Sequence, residues 1–194
     1  MTFVALGCSH TAGVGVDSRD CYVSVLGSML NQPFKNLGVP GGNAGTVQAT
    51  LIQELVTQAP DFVIVQWPNP VRLTVWHGAR AHNENIKNAS TAFTQLLKQS
   101  VENFYQPWIQ TIIVCDLLCR QAGIPIIHIM LEDLDAVYND QLIDQSITLH
   151  QDQKLPGSTW LFDSAASDNL HHSAMCHKQW AERLFGLINE HTTR

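Results

Sequence analysis

The chain has 194 residues, of which 45% are hydrophobic and 14% charged, and its net charge is −6 with histidine neutral. That composition excludes a disordered chain, and the length fits a single domain, residues 1–194, better than two. No stripe of lysine or arginine is present, which argues against a nucleic-acid partner, and no apolar run approaches the ~20 residues that cross a bilayer.

In chain order, short apolar runs predict buried strands at Phe3–Leu6, Phe34–Leu37, Phe62–Gln66, Ile124–Leu131 and Thr159–Phe162. Helical patterns lie between and after them, over about Tyr22–Leu30, Thr46–Gln58, Ser90–Ala122, Leu134–Leu149 and Ser173–Glu190. Gly123 and Pro125 mark the stop of the third helix. Strands alternating with helices imply a parallel sheet covered on both faces. The expected architecture is α/β, a three-layer α/β/α flavodoxin-like fold with a five-stranded parallel sheet. Ligands of such sheets bind beyond the carboxyl ends of the strands. Here those ends are Gly7–Gly15, Gly38–Gly45, Trp67–Arg80, Glu132–Asp135 and Asp163–His172.

Cys8, Cys21, Cys115, Cys119 and Cys176 are odd in number and match no zinc or disulfide spacing. They read as buried free thiols suited to a reducing compartment. The first residues, MTFVALGCSH, lack a basic segment and a long apolar one, so the expectation is a soluble cytoplasmic protein.

The loop GCSHTAGVG places Ser9 directly after a buried strand, between glycines. It lacks the lysine of a phosphate-binding loop, so Ser9 reads either as an exposed nucleophile at the top of the sheet or as a helix N-cap. The last loop, DSAASDNLHHSAM, carries Asp168 and His171 three residues apart. A serine hydroxyl needs a base to take its proton, and a histidine needs a carboxylate to fix its tautomer. The other reading is a capping aspartate beside a loop histidine. In NLGVPGGNAGT, glycines open a helix whose N–H groups suit a developing anion. In VIVQWPNPVR, Asn69 stands between two prolines, as an amide donor or as turn chemistry.

In order and placement, the blocks GCSHTAG, NLGVPGG, QWPNP and DNLHH resemble the SGNH (GDSL-type) hydrolase family over nearly the whole chain. The resemblance implies a flavodoxin-like fold and hydrolysis of acyl esters or amides. Carried over by motif, Ser9 is the nucleophile, with its own N–H in the oxyanion hole beside Gly41, or Gly42, and Asn69. Asp168 and His171 match the final D-x-x-H, and HHSAMCHKQWAERL resembles the family's last helix start. The departures are Cys8 where the family has aspartate, W-P-N-P where it has G-x-N-D, and His172 where it has proline. The GCS-T-G form is similar to divergent members found in phage genomes, which would permit a virion-associated location.

The expected activity is cleavage of acyl esters, acetyl first, through an acyl-serine, on a small-molecule or glycan substrate. No metal or organic cofactor is expected, because no H-x-x-x-H with a suitable carboxylate appears. His77, His82, His128, His150, His172 and His177 read as surface or packing residues. Trp67, Arg72, Trp76 and His77 are expected in a long loop over the site, where the first three would bind substrate. The alternative is an inactive module of the same fold that binds carbohydrate or acyl groups. A third reading, Cys8 as nucleophile, conflicts with strand alternation, which points Cys8 and Ser9 in opposite directions.

Overall fold

A computed structural model describes residues 2–70, 72–77, 80–85, 102–130, 154–156 and 171–192. The elements in chain order are β1 (Phe3–Gly7), α1 (Ser9–Ala12), α2 (Tyr22–Leu30), β2 (Phe34–Gly38), α3 (Ala44–Thr57), β3 (Phe62–Trp67), β4 (Arg72–His77), β5 (Arg80–Asn85), α4 (Glu102–Gln121), β6 (Ile126–Met130), β7 (Lys154–Pro156) and α5 (Ala174–Thr192). Five of the strands form one parallel sheet in the order β2-β1-β3-β6-β7.

The central strands are apolar throughout because both their faces are covered. Alternation along them sorts side chains into two cores. Val4, Leu6, Val63, Val65 and Trp67 point to one face and pack with Leu51 of α3 and Ile112 and Cys115 of α4. Phe3, Ala5, Ile64, Ile127 and Ile129 point to the other and meet Leu26 of α2 and Trp180 and Leu184 of α5. Leu51 is fully buried, so Leu51→Ala is expected to cost about 2–5 kcal/mol in denaturant unfolding, through lost transfer energy and a cavity.

The helix ends follow their sequence signals. Asn43 caps α3 by accepting from the Thr46 N–H at 3.0 Å, and the Thr46 hydroxyl returns to the Asn43 N–H. Gly123, at φ 69°, closes α4, and Ile124 N–H donates to the Cys119 carbonyl at 2.9 Å. All five cysteines are free and buried. Burial pushes the Cys115 and Cys119 thiols up to about 12.

Two features differ from the expected pattern. The stretch after β3 is an antiparallel hairpin, with Arg72 opposite Asn85 and His77 opposite Arg80, rather than a long loop. Its second strand, RAHNEN, has no apolar alternation to announce it. The fifth strand of the sheet is Lys154–Pro156, a segment too short and polar to read as a buried strand. The expected strand Thr159–Phe162, the helix Leu134–Leu149 and residues 90–101 of the helix before β6 lie outside the described residues. Among those described, no helix is long and apolar enough to cross a membrane.

Candidate active site

Ser9 lies at the carboxyl end of β1 as the first residue of the one-turn helix α1. Cys8 occupies the cap position and makes no side-chain cap bond, so Ser9 is not the helix cap. Gly13, at φ 77°, ends the turn, and a Cβ there would come within 2.9 Å of the Cys21 Cβ. Ser9 is 5% exposed, so it is more enclosed than a serine standing open above the sheet. The Ser9 hydroxyl lies 4.0 Å from the Cys8 sulfur.

Cys8 has no exposure, and its thiol points down to the Gln66 Oε1 at 3.2 Å. That contact and its burial disfavour Cys8 as a nucleophile. The same Gln66 oxygen accepts from the Cys8 N–H at 3.2 Å and the Thr11 hydroxyl at 3.3 Å. No sequence motif gives a role to Gln66 or Thr11, since one sits in an apolar strand and the other in a glycine-rich loop.

The last loop returns to this turn. The His171 ring meets the His10 ring edge-on at 5.3 Å, and the His172 ring stacks on His10 at 4.2 Å. His172 in turn lies 5.2 Å from Trp180. His177 accepts the Tyr22 N–H on its Nδ1 at 3.2 Å and lies parallel to the Tyr22 ring. Asp168 lies outside the described residues. His171 is thus beside the neighbour of Ser9, while His172 and His177 are packing residues of the α5 start.

Burial dominates the electrostatics of this cluster. It lowers His10 to about 3, with His172, His171, His177 and Arg72 adding to the effect. It lowers His172 and His177 to about 4, again with help from neighbouring histidines. All three are neutral in the folded chain at pH 7, whereas an unfolded histidine titrates near 6.5. Between those values the unfolded chain binds more protons, so stability is full above about pH 6.5 and is lost as pH falls toward 4. The melting temperature is expected to drop steeply over that interval. His177→Asn, which keeps an acceptor for Tyr22, should flatten the drop when melting is followed against pH.

In the loop after β2, Gly41 has φ 75°, and a Cβ built on it would meet nothing within 4 Å. The Gly42 N–H is taken by the Val39 carbonyl at 2.8 Å, which favours Gly41 over Gly42 as an oxyanion donor. The Asn69 carbonyl accepts from the Arg72 N–H at 3.1 Å, and the Trp108 indole N–H donates to the Pro68 carbonyl at 2.8 Å. The P-N-P segment is therefore fixed through its backbone. Arg72 opens β4 and reaches the Gly42 carbonyl at 3.4 Å, joining the second and third blocks.

Trp67 is placed otherwise than expected. It is fully buried in β3, where its indole donates to His128 Nδ1 at 2.9 Å and packs against Trp108. It is a core residue and not a surface for substrate, because the last inward position of β3 falls on it. Trp76 and His77 belong to β4. Among the described residues, no group of three or more His, Cys, Asp or Glu could hold a metal ion.

No family model matches the chain, and no curated protein matches it in sequence. Solved structures do match. A member of the lipolytic protein G-D-S-L family from Veillonella parvula DSM 2008 superposes with a TM-score of 0.59 at 15% identity, over 96% of this chain and 97% of that one. The fold is that of the SGNH/GDSL-type hydrolases. The psychrotrophic esterase EstA from Pseudoalteromonas sp. gives a TM-score of 0.60 at 12% identity, over 100% of this chain and 99% of that one. An acetyl xylan esterase, Est2A, from the rumen bacterium Butyrivibrio proteoclasticus gives 0.60 at 13% identity, over 99% of this chain and 64% of its own. In this fold Ser9, Gly41 and Asn69 follow the carboxyl ends of β1, β2 and β3, the edge at which open α/β sheets bind ligands.

Proposed function

We propose that the chain is a serine esterase that cleaves acyl esters, acetyl first, with acetylated carbohydrate as the favoured substrate class. The observation that carries this reading is the return of His171 to the Ser9 turn, its ring 5.3 Å from that of the adjacent His10. In the proposed reaction the Ser9 oxygen attacks the ester carbonyl as His171 takes the hydroxyl proton, with Asp168 orienting the imidazole. The oxyanion is held by the Ser9 and Gly41 N–H groups and the Asn69 amide. The carbon–alkoxy bond then breaks, His171 gives its proton to the departing alcohol, and water releases the acyl group by the same steps in reverse order. No metal or organic cofactor enters this chemistry. Arg72 and Trp76 would bind the alcohol portion. The five buried free thiols fit a cytoplasmic setting.

Support comes from the SGNH/GDSL fold and from neighbours named as esterases, one of them for acetyl xylan. The test is turnover of p-nitrophenyl acetate and its longer homologues, with labelling by a fluorophosphonate mapped to a single serine. Labelling of Ser9 that survives Cys8→Ala and His172→Ala but not His171→Ala is the expected result. Release of acetate from acetylated xylan, and not of fatty acid from lysophospholipid, would support the substrate class. The second reading, a binding module without turnover, is favoured by the enclosure of Ser9. Absence of any labelled serine in folded protein would establish it over the esterase.

A further inference from the structure

We infer that Gln66 is the positioning residue of the Ser9 turn, and that Cys8 and Gln66 form a matched pair. This inference rests on the esterase reading. Gln66 is the polar residue of an otherwise apolar central strand, and it has no exposure. A buried carboxamide is costly unless its donor and acceptor capacity is used. Its Nε2 donates to the Trp67 carbonyl at 2.8 Å, which fixes the orientation of the amide. Its Oε1 then faces the turn and collects the Cys8 N–H, the Cys8 thiol and the Thr11 hydroxyl.

These partners flank Ser9 on both sides along the chain. The turn is drawn down so closely that a Cβ at Gly7 would lie 2.2 Å from the Thr11 Oγ1 and 2.9 Å from the Gln66 Oε1. Thr11 also contacts the Tyr22 hydroxyl at 3.2 Å, so the anchor is tied to α2. A side chain at residue 8 long enough to reach Gln66 must therefore present a donor to it, whereas alanine leaves the backbone N–H bond in place. A thiol does so. A carboxylate at that position would set two acceptors against each other. Flipping the amide to suit a carboxylate would turn its NH2 toward the Cys8 N–H and strip the Trp67 carbonyl of its donor. The cysteine in place of the family's aspartate is thus read as an accommodation to Gln66.

The test compares wild type with Gln66→Met, which keeps the shape and removes the acceptor, and with Thr11→Val, which removes one donor and leaves Gln66 in place. Thermal melting shows that each variant is folded. A misplacement of about 1 Å costs on the order of 10²-fold in rate, so Ser9 labelling and kcat should fall by up to that factor in Gln66→Met. The KM for p-nitrophenyl acetate should change little. Thr11→Val should fall in the same direction and less far. Cys8→Ser, which keeps a donor, should label as wild type. The S–H infrared band lost in Cys8→Ser belongs to Cys8, and in Gln66→Met it should rise toward the frequency of a thiol without an acceptor. Wild-type labelling rates in both Gln66→Met and Thr11→Val would overturn the positioning role and leave the esterase reading intact. A folded wild type that never labels would overturn the esterase reading, and the positioning role with it.

Discussion

Ser9→Ala and His171→Ala are each expected to lower kcat by up to about 10⁶-fold, and the double variant to be no slower than either. The two side chains act on one proton, so removing either removes the same step. Single-turnover rates with p-nitrophenyl acetate check this. Independent, multiplying losses would contradict a shared transfer. Asp168→Asn should cost roughly 10⁴-fold by favouring the wrong tautomer of His171. The structure adds a second expectation about the base. His172 is 7% exposed and stacked on His10, so His172→Ala should disturb packing and melting temperature more than chemistry. If labelling follows His172 rather than His171, the base is the neighbour.

Asn69→Ala is expected to lose about 2.7–4 kcal/mol of transition-state stabilisation, seen as a fall of 10²–10³ in kcat with little change in KM. The side chain can be removed without releasing the segment. Pro68 is held by Trp108, and the Asn69 carbonyl is held by the Arg72 N–H. A loss of rate therefore reports the amide and not a collapsed loop. An unchanged kcat would reduce the P-N-P turn to a structural role.

Much of this protein follows from local sequence. The strands FVALG and FVIVQW are apolar because both faces of a central parallel strand are covered, and such runs are legible without a structure. The ends of α3 and α4 are written in Asn43, Thr46 and Gly123, whose capping chemistry acts within a few residues. The short blocks around Ser9, Gly41 and Asn69 fall at successive strand ends once the alternation of strands and helices is read. Asp168, by contrast, has only its sequence spacing from His171 to recommend it.

The tertiary structure decided what depends on partners distant in the chain. Trp67 and Gln66 are consecutive and both buried, yet one belongs to the core with His128 and the other to the Ser9 turn, 58 residues away at Cys8. Alternation assigns them to opposite faces, but only the packed sheet shows which face holds an acceptor for the Trp67 indole and which holds donors for the Gln66 oxygen. The hairpin Arg72–His77 with Arg80–Asn85 was hidden because its second strand is polar, and pairing rather than apolar pattern holds it. Gly41 and Gly42 are alike in sequence, and only the folded turn shows that the Gly42 N–H is used by the Val39 carbonyl. The histidines could be counted in sequence. That His172 stacks on His10 while His171 meets the His10 ring edge-on joins residues some 160 positions apart, which sequence spacing does not encode.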